Sequence, residues 1–367
     1  MKIAYFINTF KSSNWGGQAT SAGIQYLISK EYPDAEFIPI DLPDLPFKKI
    51  KIFRYYYNFL LKKALMSDNK KNILQILKLM NIPENFFDAY THVCFNGEGA
   101  VHYASGHLIR FMGMLYLAKM KHKTIASINQ TIDLNNRTDL EALLSKIYNL
   151  CDFVSVREPL SWEYAKKIGI KKCQLIPDAV YGLPKIGSRE IDEIIKKYKL
   201  PKQFVSVTGS SILNRNKNSI EKMDKILDSI KTVFFGIPIV FMANAKTDIY
   251  LAYKLKKKYD LIVLQTPNVN YYEAMAIFSR AVILVGGRQH PNIFAYIYRV
   301  PYLAFDGNTY KNRGVALLQN YPYMPLSHEA KQEEIVKMLN EIKRDDIKFK
   351  SIEIKNFRIF ENNFIKI

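Results

Sequence analysis

Cysteine is scarce in this chain, and its few cysteines form no metal-binding pattern. The 367 residues include three cysteines, Cys94, Cys151 and Cys173, in apolar surroundings. Their number is odd, their spacing is wide, and no Cys-x-x-Cys pair occurs. Such cysteines predict reduced thiols in the core of a cytosolic protein, and they argue against a zinc site. We therefore expect no metal and no bound cofactor.

Long hydrophobic runs are also missing. The apolar stretch after Lys2 ends at Asn8, which is the length of a buried strand and too short for a signal peptide. No run reaches the roughly 18 apolar residues of a membrane span. The chain is nevertheless 48% hydrophobic and 13% aromatic, enough apolar material for two globular domains at this length.

Acidic residues are too few to balance the basic ones. Lysine and arginine number 53 against 34 aspartates and glutamates, which gives a net charge of +19. Nucleic acid, anionic lipid and phosphorylated small molecules are the partners that such a charge suits. Because no zinc finger, RNA-recognition signature or helix-turn-helix pattern accompanies the charge, we do not expect a nucleic-acid partner.

The segment 48–66 concentrates basic and aromatic residues. On a helix its apolar stripe consists of Ile50, Phe53, Tyr57, Leu60, Leu61 and Ala64. The opposite face carries Lys48, Lys51, Arg54, Lys62 and Lys63, with Tyr55 and Phe59. Two interpretations stay open: a peripheral helix on an anionic bilayer, at the inner face of the cytoplasmic membrane, or an ordinary surface helix of a lysine-rich protein.

Strand-like and helix-like segments alternate along the whole chain, which is typical of a doubly wound α/β protein. Six strands are predicted before a Gly/Pro-rich stretch at 181–187 and five after it. The predicted strands are 2–8, 36–40, 92–95, 124–128, 152–156, 173–176, 204–208, 238–242, 261–264, 281–285 and 302–305. We therefore expect a first Rossmann-like domain over 1–182, a second over 183–330, and a C-terminal helix and tail over 331–367 that crosses back to the first.

Two arginines stand in matching positions, one in each half. Arg157 follows an apolar strand and precedes Pro159, and Arg288 follows another and precedes Pro291. Proline favours the first turn of a helix, where free N–H groups attract anions. Ligands bind beyond the carboxyl ends of parallel strands. The spacing thus predicts two anion sites, and we expect both in one interdomain active-site cleft.

Other polar residues also follow predicted strands. His290 lies two residues after Arg288 and can pass a proton near neutral pH, so it is the catalytic candidate; the alternative is a structural role at a helix start. Glu98 is the candidate second acid or base, although a loop glutamate is often simply solvated. Candidate ligand-binding residues in the three strand-end turns are Asn14, Gly16, Gly17, Asn96, Gly97 and Asp178, the last with turn capping as the favoured interpretation.

These segments, in this order, resemble the polysaccharide pyruvyl transferase family. The resemblance covers roughly residues 1 to 320 and includes Lys311, after Arg288-Gln289-His290. It implies two facing Rossmann-like domains of the GT-B kind and transfer of pyruvate from phosphoenolpyruvate onto a sugar diol. It also implies that Arg157 and Arg288 hold the donor's anions and that His290 is the acid/base. Gly286-Gly287 stand where a serine is common.

The acceptor expected from this resemblance is a sugar of a capsule, lipopolysaccharide or similar glycan. A lipid carrier on that glycan would account for the basic aromatic helix. A GT-B glycosyltransferase that uses a nucleotide-activated sugar is the alternative, since helix N-termini and arginines suit either phosphate. A non-enzymatic basic protein that binds RNA or membrane is a third alternative, and it leaves the paired arginine turns unexplained.

Overall fold

The computed structural model of the protein describes residues 1–41 and 51–361, with 51 and 52 described by their backbone alone. The chain divides into two compact units. The first comprises Met1–Asn8, Ile24–Ala179 and the described residues from Ile354; the second comprises Thr9–Gly23 and Val180–Glu353. Each unit is built on its own parallel sheet.

The sheet of the first unit has six parallel strands in the order β2-β1-β3-β4-β5-β6. The strands are β1 (Lys2–Phe6), β2 (Glu36–Ile40), β3 (His92–Asn96), β4 (Thr124–Gln130), β5 (Phe153–Val156) and β6 (Cys173–Leu175). The helices of this part of the chain are α1 (Trp15–Glu31), α2 (Lys51–Met66), α3 (Lys70–Leu79), α4 (Leu108–Met120), α5 (Thr138–Tyr148) and α6 (Pro159–Lys167). The strand order reverses direction between β1 and β3, the point where open α/β sheets bind ligands.

The sheet of the second unit has five parallel strands in the order β11-β10-β7-β8-β9. The strands are β7 (Val205–Ser210), β8 (Ile239–Ala243), β9 (Ile262–Gln265), β10 (Ile283–Gly287) and β11 (Tyr302–Ala304). The helices are α7 (Ser188–Lys197), α8 (Lys217–Val233), α9 (Lys246–Tyr259), α10 (Tyr271–Phe278), α11 (Gln289–Ile297), α12 (Lys311–Leu318) and α13 (Gln332–Arg344). Here the reversal lies between β7 and β10.

Each sheet is buried on both faces because its strands are apolar at successive positions. In β1, Ala4 and Phe6 enter one core while Ile3 and Tyr5 enter the core on the opposite face. Side chains alternate between faces along a strand, so only a continuous apolar run can serve two cores. The doubly wound α/β class predicted from the sequence is confirmed, and each of the eleven predicted strands has a counterpart within two residues at each end.

The units differ from the predicted boundaries at 9–23 and at 331–353, because both segments belong to the second unit. The predicted first domain, 1–182, included 9–23, whereas this segment belongs to the second unit. Trp15 explains the assignment, because its side chain is fully buried among second-unit residues and its Nε1 donates to the Val269 carbonyl at 2.6 Å. The end of the chain does return to the first sheet, where Phe357 and Ile359 are buried.

Helix α2 corresponds to the predicted helix 48–66. Residues 48–50 of that prediction lie outside the described part of the chain. Its buried residues are Leu61, Ala64 and Leu65, and Tyr57 and Leu60 are half-buried. Phe53, which the helical projection places on the apolar stripe, has an exposed side chain. The reason is that α2 packs against α4 at Leu61, where Gly113 leaves room, and Phe53 lies about two turns earlier.

A glutamate caps helix α6 directly after Arg157. Glu158 is fully buried, and its carboxylate accepts hydrogen bonds from the backbone N–H and the hydroxyl of Ser161. Pro159 follows at the first helical position, as its sequence context predicts. Burial raises the pKa of Glu158 to about 7, and the bonds from Ser161 only partly offset this effect. The cap is therefore more stable when protonated than when ionised.

This cap generates a pH-dependent stability. Because the pKa of Glu158 is higher in the folded chain than the ordinary 4.5, its stabilising effect should be complete below pH 4.5 and lost as pH rises through about 7. A tenfold change in proton affinity corresponds to about 1.4 kcal/mol. In Glu158→Gln, which keeps an oxygen for the Ser161 N–H, we expect urea unfolding to show less loss of stability between pH 5 and pH 8 than in the wild type.

Glu163 provides the matched control for this measurement. It lies on the same helix with an exposed side chain, so Glu163→Gln should leave the pH dependence of the unfolding free energy unchanged. Equal pH profiles for wild type and Glu158→Gln would show that Glu158 does not titrate in this range.

Candidate functional site

The turn between β10 and α11 carries the residues that the sequence singled out in the second unit. Strand β10 ends at Gly287, Arg288 is the N-cap residue of α11, and His290 lies in the first helical turn. A Cβ atom at Gly286 would overlap Thr208, and one at Gly287 would overlap Ser210. Both neighbours lie on β7, beside the point where the strand order reverses. The glycines therefore let β10 lie against β7 in a form that a serine there would prevent.

Arg288 does not present a free guanidinium. Its Nε donates to Oδ2 of Asp248 at 3.1 Å and its Nη2 to Oδ1 at 2.7 Å, with a further bond from Nη2 to the Thr247 hydroxyl. The Arg288 side chain is 13% exposed and Asp248 is fully buried. Burial raises the pKa of Asp248, and the adjacent guanidinium opposes this effect. The bidentate edge of the arginine is thus occupied by a protein carboxylate.

His290 lies against the glycine turn of residues 14–17, which forms the start of α1. The residue is 6% exposed, its Nε2 is 3.1 Å from the Thr20 hydroxyl, and a Cβ at Gly16 would overlap the ring at Nδ1. Glycine is therefore required at position 16 for the imidazole to lie where it does. The sequence analysis selected His290 and the glycine turn separately, and the fold of the second unit brings them together.

Two asparagines hold this glycine turn in place. Asn14 Oδ1 accepts from the backbone N–H of Gly16 at 2.8 Å and from Nδ2 of Asn244. Asn244 also accepts the backbone N–H of Trp15, and its own N–H donates to Asp248. Gly17 completes the turn, with its carbonyl accepting from Thr9. A continuous set of hydrogen bonds therefore leads from the Arg288 partner to the residue beside His290.

Lys311 occupies the first position of α12. Its Nζ donates to the Asn308 side chain at 2.9 Å, and its stem passes close to Gly307. The residue is half-buried at a helix N-terminus in the second unit. A ligand role for Lys311 stays a prediction.

Arg157 of the first unit is also paired with an aspartate, but through one nitrogen instead of two. Its side chain is 3% exposed, its Nη1 donates to Asp178 at 2.8 Å, and its Nε donates to the Thr131 hydroxyl. Asp178 was interpreted mainly as a turn cap; in the structure it is the buried counter-ion of Arg157, and Asn129 also donates to it. The reason is positional, since Asp178 follows β6 and Arg157 follows β5, the neighbouring strand.

The Asn96–Gly99 turn lies at the carboxyl end of β3. Asn96 is buried, accepts from the Glu98 N–H and donates to the Ile7 carbonyl. The Glu98 side chain is half-exposed. A Cβ at Gly97 would overlap the side chain of Gln130, which explains the glycine.

Gln130 links this turn to the arginine of the first unit. Its side chain, against which Gly97 lies, donates to the Ser155 carbonyl at 2.8 Å and accepts from Tyr148. Its backbone carbonyl accepts from the Arg157 N–H. The turn and the arginine therefore lie on opposite sides of the end of β4.

The sequence reasoning missed Asp248, Asn244, Thr20 and Gln130. A signal was present for two of them, because Asn244 directly follows the apolar strand β8 and Asp248 lies in the first turn of the helix after that strand. Thr20 lies within a helix and Gln130 at the end of a strand, and neither context distinguishes a site residue from a packing residue.

Solved structures of similar fold include several UDP-GlcNAc 2-epimerases. They include the UDP-GlcNAc 2-epimerase of Methanocaldococcus jannaschii in complex with UDP-GlcNAc and UDP, at 12% identity and a TM-score of 0.59, covering 97% of this chain and 96% of that one. The MnaA–UDP structure of S. aureus matches at 11% identity and 0.58, covering 94% and 88%. The UDP-GlcNAc 2-epimerase of Neisseria meningitidis matches at 11% and 0.56, covering 93% and 91%.

At such low identity these likenesses establish the fold alone, a two-domain, Rossmann-like fold of the GT-B class. No curated protein matches the chain. The family model for polysaccharide pyruvyl transferases matches residues 14–309, a range that contains the glycine turn, both arginine–aspartate pairs and His290. The chain therefore belongs to the polysaccharide pyruvyl transferase family and is a transferase of polysaccharide biosynthesis.

Proposed function

We propose that this transferase takes its pyruvyl group from phosphoenolpyruvate and forms a ketal with two hydroxyls of a surface-glycan sugar. The observation that carries the proposal is the β10–α11 turn, where a buried histidine and an oriented arginine share one helix N-terminus. Arg288 lies at the N-cap and His290 in the first turn, so an anion there meets the positive end of the helix dipole, a guanidinium and a proton carrier together.

Phosphoenolpyruvate offers the groups that such residues bind. Its carboxylate and phosphate are both anions, and arginine binds either through charge-assisted hydrogen bonds. Arg288 uses Nε and Nη2 for Asp248, and Arg157 uses Nε and Nη1 for its own partners. We assign the remaining nitrogen, Nη1 of Arg288 and Nη2 of Arg157, to the donor. That both arginines hold the same donor molecule stays a prediction.

Ketal formation requires that one proton be added to the methylene carbon of phosphoenolpyruvate and that one proton be removed from each of the two sugar hydroxyls. Protonation of the donor's methylene carbon makes C2 electrophilic, a sugar hydroxyl attacks C2, and the C2–O bond to phosphate breaks. A neighbouring hydroxyl then adds to C2 and closes the ketal. The released phosphate takes up that hydroxyl's proton, and the proton of the first hydroxyl replaces the one given to carbon. His290 is our candidate for the group that moves the proton at carbon, with Thr20 orienting its ring. Glu98 is our candidate for the partner role.

Substitutions at these residues should separate donor binding from proton transfer. His290→Asn should bind phosphoenolpyruvate nearly as well as wild type and lose roughly 10²- to 10⁴-fold in turnover, the usual range for general acid–base catalysis. Arg157→Lys and Arg288→Lys should weaken donor binding, because an ammonium cannot reproduce the planar contacts of a guanidinium. Calorimetry gives the affinities, and phosphate release with a panel of hexosides gives turnover.

Melting temperatures of all three variants check that each is folded. Near-wild-type turnover in His290→Asn would remove His290 from the mechanism. Unaltered donor affinity in both lysine variants would place the anion site elsewhere.

The contact between Gly16 and His290 allows a second test of the histidine. Gly16→Ala places a methyl group where the imidazole lies, so the ring must move. We expect turnover to fall by at least about tenfold, since small misplacements of a catalytic group are costly. Gly187→Ala is the matched control, because a Cβ there meets nothing within 4 Å and its φ of −68° suits alanine. Full turnover in Gly16→Ala would contradict a catalytic role for His290 in its present position.

A second candidate donor is a nucleotide-activated sugar. It is favoured by one observation, that the solved structures of similar fold include enzymes bound to UDP-GlcNAc or UDP. The products distinguish the candidates: phosphate released from phosphoenolpyruvate supports pyruvyl transfer, and a nucleotide released from a sugar nucleotide supports glycosyl transfer.

We also propose that the pair of helices α2 and α3 contacts an anionic membrane, where a lipid-linked acceptor would lie. Tyr55, Tyr56 and Phe59 are 65%, 57% and 64% exposed. Between Phe53 and Met80 the chain has a single acidic residue, Asp68, and six basic ones: Arg54, Lys62, Lys63, Lys70, Lys71 and Lys78. Exposed aromatic rings among lysines suit the headgroup region of an anionic bilayer. None of the described helices is long and apolar enough to cross a membrane.

Vesicle binding tests this surface. Each lysine near an anionic bilayer contributes about 1 kcal/mol. We therefore expect Lys63, Lys70 and Lys71, replaced together by glutamine, to weaken sedimentation with phosphatidylglycerol vesicles by about 100-fold. The control replaces Lys254, Lys256 and Lys257, exposed lysines of α9, and should bind as wild type does. Equal loss in both variants would assign the attraction to net charge alone.

A further inference from the structure

Asp248 is buried where its negative charge would be unfavourable without the neighbouring guanidinium of Arg288. Its carboxylate is fully buried in the first turn of α9. A Cβ at Gly209, on the neighbouring strand β7, would overlap Oδ1, so the glycine makes room for the carboxylate. A buried carboxylate loses its hydration, and it is stabilised only by a close cation and by hydrogen bonds.

The partners of Asp248 define the orientation of Arg288. The bidentate contact through Nε and Nη2 fixes the plane of the guanidinium, and the Thr247 hydroxyl adds a third bond at Nη2. A planar group held along one edge presents its other edge in a single direction. Only Nη1 points away from the aspartate, so the edge available to an anion is determined by Asp248.

Asp248 is also joined to the turn that contacts His290. Its Oδ2 accepts from the Asn244 backbone N–H at 3.1 Å, and the Asn244 side chain bonds both Trp15 and Asn14. Asn244 is 2% exposed, so these bonds are shielded from water. The same short segment, 244–248, therefore positions the arginine and the backbone beside the histidine.

We propose that Asp248 is a positioning residue for the transfer reaction: it orients the donor-binding edge of Arg288 and, through Asn244, keeps that edge in register with His290. The inference rests on the proposed function, in which Arg288 binds the donor and His290 moves the proton. Asp248 itself does not touch the donor. Its charge neutralises that of Arg288, so it favours orientation at the expense of net attraction for anions.

Asp248→Asn separates these two effects. The variant keeps the shape of the side chain and removes its charge, which leaves the arginine's charge uncompensated and its plane less constrained. Phosphoenolpyruvate and inorganic phosphate should bind as tightly as to wild type or up to about tenfold more tightly, because an opposite charge has been removed. Turnover should fall roughly 100-fold, because the guanidinium is no longer oriented. A merely structural role predicts no such division between affinity and turnover.

Asp224→Asn is the matched control in the same unit. Asp224 also accepts from a cation, Lys258, at 2.7 Å, but on the surface, so its loss should change neither affinity nor turnover. Wild-type turnover in folded Asp248→Asn overturns the proposal, and so does a loss of turnover matched by an equal loss of donor affinity.

Two further variants keep the test decisive. If Asp248→Asn does not fold, Thr247→Val removes another acceptor of Nη2. This variant should lower turnover about three- to tenfold with donor affinity retained, the scale of one hydrogen bond. Unchanged turnover then overturns the proposal.

Arg288→Gln separates this inference from the proposed function. If Arg288→Gln binds phosphoenolpyruvate as wild type does, the proposed function fails; if it loses the donor while Asp248→Asn behaves as wild type, only the positioning role fails.

Discussion

Pairing of an arginine with a buried aspartate is the interaction on which both candidate sites depend. Removing two charges from water is expensive, and their attraction offsets that expense only when geometry and hydrogen bonding are good. Both pairs meet this condition. Asp248 takes the bidentate edge of Arg288, and Asp178 binds Arg157 with Thr131 completing the guanidinium contacts. Each pair joins the ends of two strands and so determines the direction in which the arginine points.

A pair of this kind changes how an anion is attracted. An isolated arginine attracts anions by its full charge, whereas one neutralised by aspartate acts at short range through directed N–H groups. Recognition then depends on shape as much as on charge. The large positive charge of the chain is consequently not explained by these two sites.

The absence of a side chain at several glycines is as important to the second-unit site as the side chains that are present. Gly16 leaves room for the His290 ring, Gly209 for Asp248, and Gly287 for Ser210. In each case the group that fills the space comes from a distant part of the chain. Glycine was recognised in the sequence as a sign of close approach, but a glycine does not specify what approaches it.

The sequence by itself determined the class of fold and the candidate residues nearest the strand ends. Short continuous apolar runs that alternate with helical patterns indicate strands buried on both faces, and polar residues that follow such strands gather at the carboxyl edge of a parallel sheet. This reasoning located Arg157, Arg288 and His290. Only the tertiary structure decided that Trp15 carries the glycine turn into the second unit, that Asp178 and Asp248 neutralise the arginines, and that Phe53 is exposed. These features depend on contacts between residues far apart in the chain. Such a contact leaves no periodic pattern in the sequence, because the two segments it joins each have a complete pattern of their own.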